Sequence, residues 1–292
     1  MVNKAIKFVS FICCVLIFSF IFSGCNIFGK DEDITFKFNE TEKGIVLTGY
    51  EVGEDYQIPD LLEIPRTFNG KPVVEIGESA FFNSNFVEIK IPDTVTKIDQ
   101  FAFAASRRLK RIKDIPDSVE EIADSAFENC SKLEEFVFPK NLKSLGNTVF
   151  RGSGLTEIQL KNVEKIGFNC FSKSDIEEII FPKETYIVFV GEFQGIKAKT
   201  LIIKGTVRTL NKSAFADCEQ LESVSFEKGF ADIYTRAFAN CKKLKEVNIN
   251  EDIRFIADDA FADCPADTVF HVKKDSVGSE WAKAHKVKFQ EY

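Results

Sequence analysis

Histidine is almost missing from this 292-residue chain: His271 and His285 are the only two, and neither has a cysteine pair nearby. A zinc site draws on cysteines two to four residues apart or on histidines at helical spacing. Neither pattern occurs, so no metal is expected and both histidines read as surface residues. Phosphate-cradling glycine loops, nucleophile elbows and calcium loops are lacking as well, which leaves no cofactor and no enzymatic activity to expect. Positive charge is short too, with 38 Lys+Arg against 45 Asp+Glu and a net charge of −7. Nucleic acid and anionic lipid reward clustered cations, so no nucleic-acid partner is expected.

Phenylalanine, by contrast, is abundant, at 31 residues, and it is periodic. Between Val207 and Cys264 one pattern is written three times: Val207-x-x-Leu210, Ala214-Phe215, Cys218, then the same 23 residues on from Phe230, then again from Ile253. Taking the phenylalanine of each Ala-Phe pair as marker gives Phe81, Phe103, Phe127, Phe150, Phe171, Phe193, Phe215, Phe238 and Phe261, separated by 22, 24, 23, 21, 22, 22, 23 and 23 residues. A fixed period in the twenties is the mark of a solenoid, whose coils bury their apolar sides only by stacking.

Each coil divides in two. Segments such as Leu133-x-x-Phe136-x-Phe138-Pro139 end in period-two alternation and read as a short strand stopped by proline. Stacked, these strands make one parallel sheet. The rest, as in Asp124 to Cys130, begins with capping residues and has room for a helical or 3₁₀ turn or two. The predicted fold class is an α/β-type repeat solenoid of coils of about 23 residues. It has a parallel sheet on one face, short helical, 3₁₀ or irregular turns opposite, a β-hairpin N-cap and a small C-terminal cap.

On these motifs the chain resembles the BspA-like, treponemal-type leucine-rich repeat proteins, with repeats of the form Leu-x-x-Ile-x-Ile-Pro, Val-x-x-Ile-Gly, Ala-Phe-x-x-Cys. The coil from Val119 to Pro139 carries the pattern almost whole, Ile76-Gly77 and Ile166-Gly167 carry its glycine, and Ile64 to Gly77 looks like the usual way into the first coil. The likeness extends from Ile34 to Tyr292 and departs in the sixth coil, where Tyr186 to Gly195 lacks the alanine and cysteine. It implies a surface protein that binds host matrix proteins or other bacteria, which composition does not show.

Lys4 and Lys7 precede an apolar run, Phe8 to Phe22, too short for a permanent span, and Phe22-Ser23-Gly24-Cys25 resembles a looser lipobox. Residues 1–24 read as a lipoprotein signal, with an uncleaved anchor helix as the alternative, and residues 25–33 as a tether lipidated at Cys25. Losing Lys4 and Lys7 takes the formal charge from −7 to −9, so acyl chains and not charge would hold the chain to the membrane. Residues 34–72 are expected to form the N-terminal cap, 73–272 nine coils, and 273–292 a C-terminal cap with a short helix carrying Trp281. The expected location is the bacterial envelope, anchored by lipid, with the cell surface favoured.

Five cysteines remain in the folded part. Cys130, Cys218, Cys241 and Cys264 share one place in the repeat with Ser84, Ser106 and Ser153, while Cys170 takes an alanine place. They read as small buried thiols, although stacked Cys218, Cys241 and Cys264 come within reach of a disulfide. Paired acids such as Glu134-Glu135 and Glu177-Glu178 recur at one repeat position, which marks a solvated face and not acid-base chemistry.

On the strands the residues between buried positions tile the sheet's outer side. A basic row, Lys110, Arg111 and Lys113, is followed by an acidic stretch, Glu134, Glu135, Glu157, Glu177 and Glu178. Such a strip suits a protein ligand of complementary charge, and it also suits plain solubility. Two functions follow: an adhesin-like lipoprotein that binds protein through this face, or a structural or envelope-assembly lipoprotein facing the periplasm without a host ligand.

Overall fold

A computed structural model describes residues 34–53, 57–160, 163–180, 188–189, 191–203 and 207–292. The signal, the lipobox with Cys25 and the tether lie outside the described residues.

The chain winds into a solenoid with two parallel ladders. The front ladder takes one strand per coil from Leu61–Glu63, Glu88–Lys90 and Arg111–Lys113 through Glu157–Gln159 and Glu178–Ile180. It continues with Thr200–Ile203, Ser223–Phe226, Glu246–Asn248 and Val269–Val272 and ends at Lys288–Glu291. Between Arg111–Lys113 and Glu157–Gln159 the intervening coil contributes a single bridge, Arg111 to Glu135. Apolar residues stack on apolar residues, Ile89 on Ile112 and Leu201 on Val224 on Val247 on Phe270. This is the sheet the alternation foretells.

The second ladder is one that periodicity could not reveal. Two-residue strands such as Lys97–Ile98, Glu121–Ile122 and Ser144–Leu145 pair in parallel along a side wall. Each turns one residue outward and one inward, so no alternation can be counted. Where glycine follows, as Gly146 after Leu145 and Gly167 after Ile166, the wall closes up: a Cβ on Gly167 would lie 2.4 Å from the carbonyl of Gly146.

The third side, around each marker phenylalanine, is built of turns; among the described residues no coil contains a helix. Around the first eight markers the residues two before and two after are left-handed, as Ser125 (φ 56°) and Asn129 (φ 59°) are around Phe127, and around Phe261 only the later one, Asp263, is; a left-handed residue cannot continue a right-handed helix. The alternation points successive N–H groups in different directions. Ser125, Phe127 and Asn129 donate to Asn147, Val149 and Arg151 of the next coil at 2.8, 2.9 and 2.7 Å. Ala126, Glu128 and Cys130 donate back to Ala123, Ser125 and Phe127 within their own turn. The buried backbone is thereby satisfied without secondary structure.

The core is a column of rings. From Phe81 to Phe261 the nine marker phenylalanines stack with centroids 5.0–5.6 Å apart and planes within 9° of parallel. Ring faces touch at about 3.5–4.0 Å, so the longer separation means each ring is offset from the next, the favoured arrangement for stacked aromatics. The sixth coil keeps the column although it breaks the motif. Glu192 occupies the alanine place and Ile196 the cysteine place, both buried beside Phe193.

Both ends of the column are covered. The antiparallel hairpin Ile34–Glu40 with Ile45–Val52 joins the side ladder through Lys71–Ile76, and Tyr50 stacks on Phe81 at 5.4 Å. At the other end helix α1, Val277–His285, is capped by Ser276, whose hydroxyl accepts from the Ser279 amide. It lays Trp281 against Phe261 and Phe270 at 5.7 and 5.4 Å, and the indole N–H donates to the Ala257 carbonyl at 3.3 Å.

Candidate ligand face

The front ladder presents its outward residues in three columns, because parallel pairing in register brings equivalent positions of successive coils side by side. Lys110, Arg111, Lys113, Glu134, Glu135, Glu157 and Glu177 are all exposed there. Glu178 belongs to the same face by backbone register, opposite Glu157. The structure thus brings the basic row and the acidic stretch onto one surface.

It does not leave the basic row intact. Arg111 lies one coil on from Glu88, and its Nη2 meets the Glu88 carboxylate at 2.6 Å. Among the described residues Lys110 and Lys113 make no ion pair, so the row is two cations and a neutralised arginine. Arg111 and Glu88 stand 23 residues apart, one repeat, and that spacing was the signal for the pair.

The acidic stretch is different. Elsewhere acids and bases of adjacent coils are matched, as in Lys140 with Asp117 at 2.8 Å, Arg151 with Glu128 at 2.7 Å and Arg254 with Asp232 at 2.8 Å. Among the described residues Glu134, Glu135, Glu157 and Glu177 have no such cation; Glu157 accepts only the Gln159 amide at 2.8 Å. Glu157 and Glu178 are backbone partners in register. Beside them Val137 is 80% exposed, an apolar side chain at the edge of the acidic column.

Further along the face, a shallow hollow of about 320 Å³ is lined by Lys199, Thr200, Glu222, Ser223, Lys245 and Glu246. There Lys245 meets Glu222 at 2.5 Å and Ser223 donates to Thr200 at 3.1 Å. Its two lysines balance its two glutamates. Large exposed aromatics lie off this face, among them Phe82, Phe168, Tyr234 and Phe255.

Inside, the serine and cysteine place of the repeat is a column of small donors. Ser106 donates to the Phe81 carbonyl at 2.9 Å, and Cys130, Cys241 and Cys264 reach the carbonyls of Phe103, Phe215 and Phe238 at 3.1, 3.4 and 3.1 Å. The five cysteines of the described part are free thiols. Burial pushes the Cys130 thiol up to about 12 and raises that of Cys170 as well, so both stay protonated and inert. Of the histidines, His271 is half-buried on its strand. His285 is not a plain surface residue: its ring stacks on Trp281 at 4.4 Å, and Nδ1 lies 2.8 Å from the Trp281 carbonyl. Among the described residues no group of three His, Cys, Asp or Glu side chains is placed to hold a metal, and no helix is long and apolar enough to cross a membrane.

Two ladders, a turn wall and an aromatic column at this period define a leucine-rich repeat solenoid. The match to the BspA type leucine rich repeat region runs in six copies over residues 74–189 and 160–268, and the chain belongs to that family. Among solved structures it is similar to the leucine-rich repeat protein of T. pallidum, with 26% identity and a TM-score of 0.50 over 72% of this chain and 87% of that one. A leucine-rich repeat protein from Bacteroides ovatus aligns at 20% identity and TM-score 0.43, covering 89% of this chain and 98% of that one. A leucine rich cell surface protein from Faecalibacterium prausnitzii aligns at 19% and 0.40, covering 92% and 95%. No curated protein matches the chain.

Proposed function

We propose that this chain is a lipid-anchored surface protein that binds a protein ligand on its front ladder, the acidic column of Glu135, Glu157 and Glu178 receiving a basic patch of the partner. One observation carries the reading: where many neighbouring coils pair acid with base, among the described residues the exposed Glu134, Glu135, Glu157 and Glu177 make no ion pair and repel one another on one face, to which Glu178 belongs by register. A partner's lysines or arginines would relieve that repulsion, and Val137 beside the column offers an apolar contact inside the polar rim. Membership of a repeat family built for protein binding supports a ligand of this kind, and a non-catalytic role accords with it. The lipobox at Cys25 supports anchoring by acyl chains, and a tether of nine residues keeps the solenoid close to the bilayer.

Two measurements test this. Protease added to intact cells should remove the solenoid, and the purified chain should bind immobilised extracellular-matrix protein with an affinity that falls as salt rises. A solenoid protected in intact cells, together with no binding, would favour an inward-facing envelope protein.

A further inference from the structure

Three cysteines, Cys218, Cys241 and Cys264, occupy one column at the C-terminal end of the solenoid. The turns that carry the last two are bonded in register, Phe238 to Ala260 and Asn240 to Ala262, each at 2.8 Å. Cα atoms one parallel strand spacing apart, about 4.8 Å, fall inside the range a disulfide tolerates. The three differ in access. Cys218 and Cys241 are fully buried, whereas Cys264 is half-buried. It lines a cavity of about 210 Å³ between the last coil and the cap, shared with Phe270, Trp281 and His285.

We propose that Cys264 is a thiol–disulfide exchange site, with Cys241 as its resolving partner, reached by small-molecule disulfides through the cavity at the C-terminal cap. The Cys264 thiolate attacks one sulfur of R–S–S–R, expels RS⁻ and forms a mixed disulfide. Cys241, deprotonated, then attacks the Cys264 sulfur and expels the second RS⁻. The sum converts two protein thiols and one external disulfide into a Cys241–Cys264 bridge and two RSH. The electrostatics have the sign this order of attack needs. Contact with the Cys241 thiol lowers the Cys264 pKa, while Cys241 is raised by its contacts with Cys218 and Cys264 and by burial. The more ionised thiol is the accessible one, which is what an attacking cysteine requires. Cys130 and Cys170, fully buried and absent from the lining of that cavity, take no part.

The test is incubation of the folded full-length chain with oxidised glutathione, then acid quenching, unfolding in denaturant, alkylation and peptide mass mapping. Wild type should lose alkylation at Cys241 and Cys264 and yield them as one cross-linked pair, with Cys130 and Cys170 still alkylated. Cys241→Ser should stop at Cys264 carrying one glutathionyl group, and Cys264→Ser should leave Cys241 a free thiol. Serine stands natively at this place in Ser84 and Ser106, so both variants should fold, which circular dichroism checks. An unmodified Cys264 in wild type, oxidation of Cys241 in Cys264→Ser, or a Cys218–Cys241 bridge as the main product would overturn the proposal.

Discussion

Phe171 and Phe193 stack at 5.4 Å with planes 3° apart, although the coil carrying Phe193 has glutamate for alanine and isoleucine for cysteine. The aromatic column is therefore the most conservative feature of the solenoid's geometry, holding where the rest of the motif gives way. Phe193→Ala should cost about 3–5 kcal/mol, as for other buried phenylalanines, despite the irregular coil around it. Chemical denaturation of wild type and variant measures this, and a loss below about 1 kcal/mol would mean that coil is not packed as described.

Between the fourth and fifth coils, close approach of the side wall rests on Gly146 and Gly167. Gly167→Ala would place a methyl 2.4 Å from the Gly146 carbonyl, backbone against backbone, where no flexible side chain can yield. Overpacking of this kind costs about 1–3 kcal/mol or more. The melting temperature should fall, with front-ladder binding retained at temperatures where the variant is folded.

Acid sensitivity should be traceable to Asp217, which sits left-handed (φ 58°) in the turn wall. Burial works to raise its pKa, but hydrogen bonds from Asn240 and Gln194, both at 2.6 Å, outweigh it and the net shift is downward. A carboxyl held lower in the folded chain than in the unfolded one stabilises the fold above the ordinary aspartate range, near ~3.9. That contribution disappears as pH falls through the lower folded-state value. Wild type should therefore melt above Asp217→Asn near neutral pH, and the gap should close below about pH 4. A gap that widens toward acid would contradict the assignment.

The C-terminal cap should be required for solubility. Removing residues 273–292 exposes Phe261 and Phe270 and leaves Val269–Val272 as an open edge strand, since its pairing with Lys288–Glu291 is lost. Open apolar edges template association, so light scattering should show oligomers in the truncated chain and none in Trp281→Phe.

How much of this was readable in advance depends on how many residues each feature repeats. The phenylalanine column and front ladder were legible because Phe127 and its equivalents recur every coil and Ile89-x-Ile91 alternates. The side ladder was not, because Lys97–Ile98 offers a single inward residue to count. Ser125, at the start of its segment, looked like a capping residue; small, polar or glycine residues two before and two after most markers, such as Ser79, Asn83, Gly191 and Asp217, were the signature of left-handed turns. The basic row looked continuous along the chain, yet Glu88 sits one repeat before Arg111 and neutralises it.

The acidic column is the feature on which the proposed binding rests. Replacing Glu135, Glu157 and Glu178 together with glutamine lowers the negative charge of this face, where like charges opposite one another cost about 0.2–1 kcal/mol, so the variant should melt no lower than wild type. Side-by-side binding of wild type, this variant and Lys110→Glu/Lys113→Glu to the same immobilised matrix protein is the decisive measurement. Loss of most binding at low salt in the glutamine variant, with the lysine variant binding at least as well as wild type, is the expected result. Equal binding by the glutamine variant and wild type would contradict the assignment of this face.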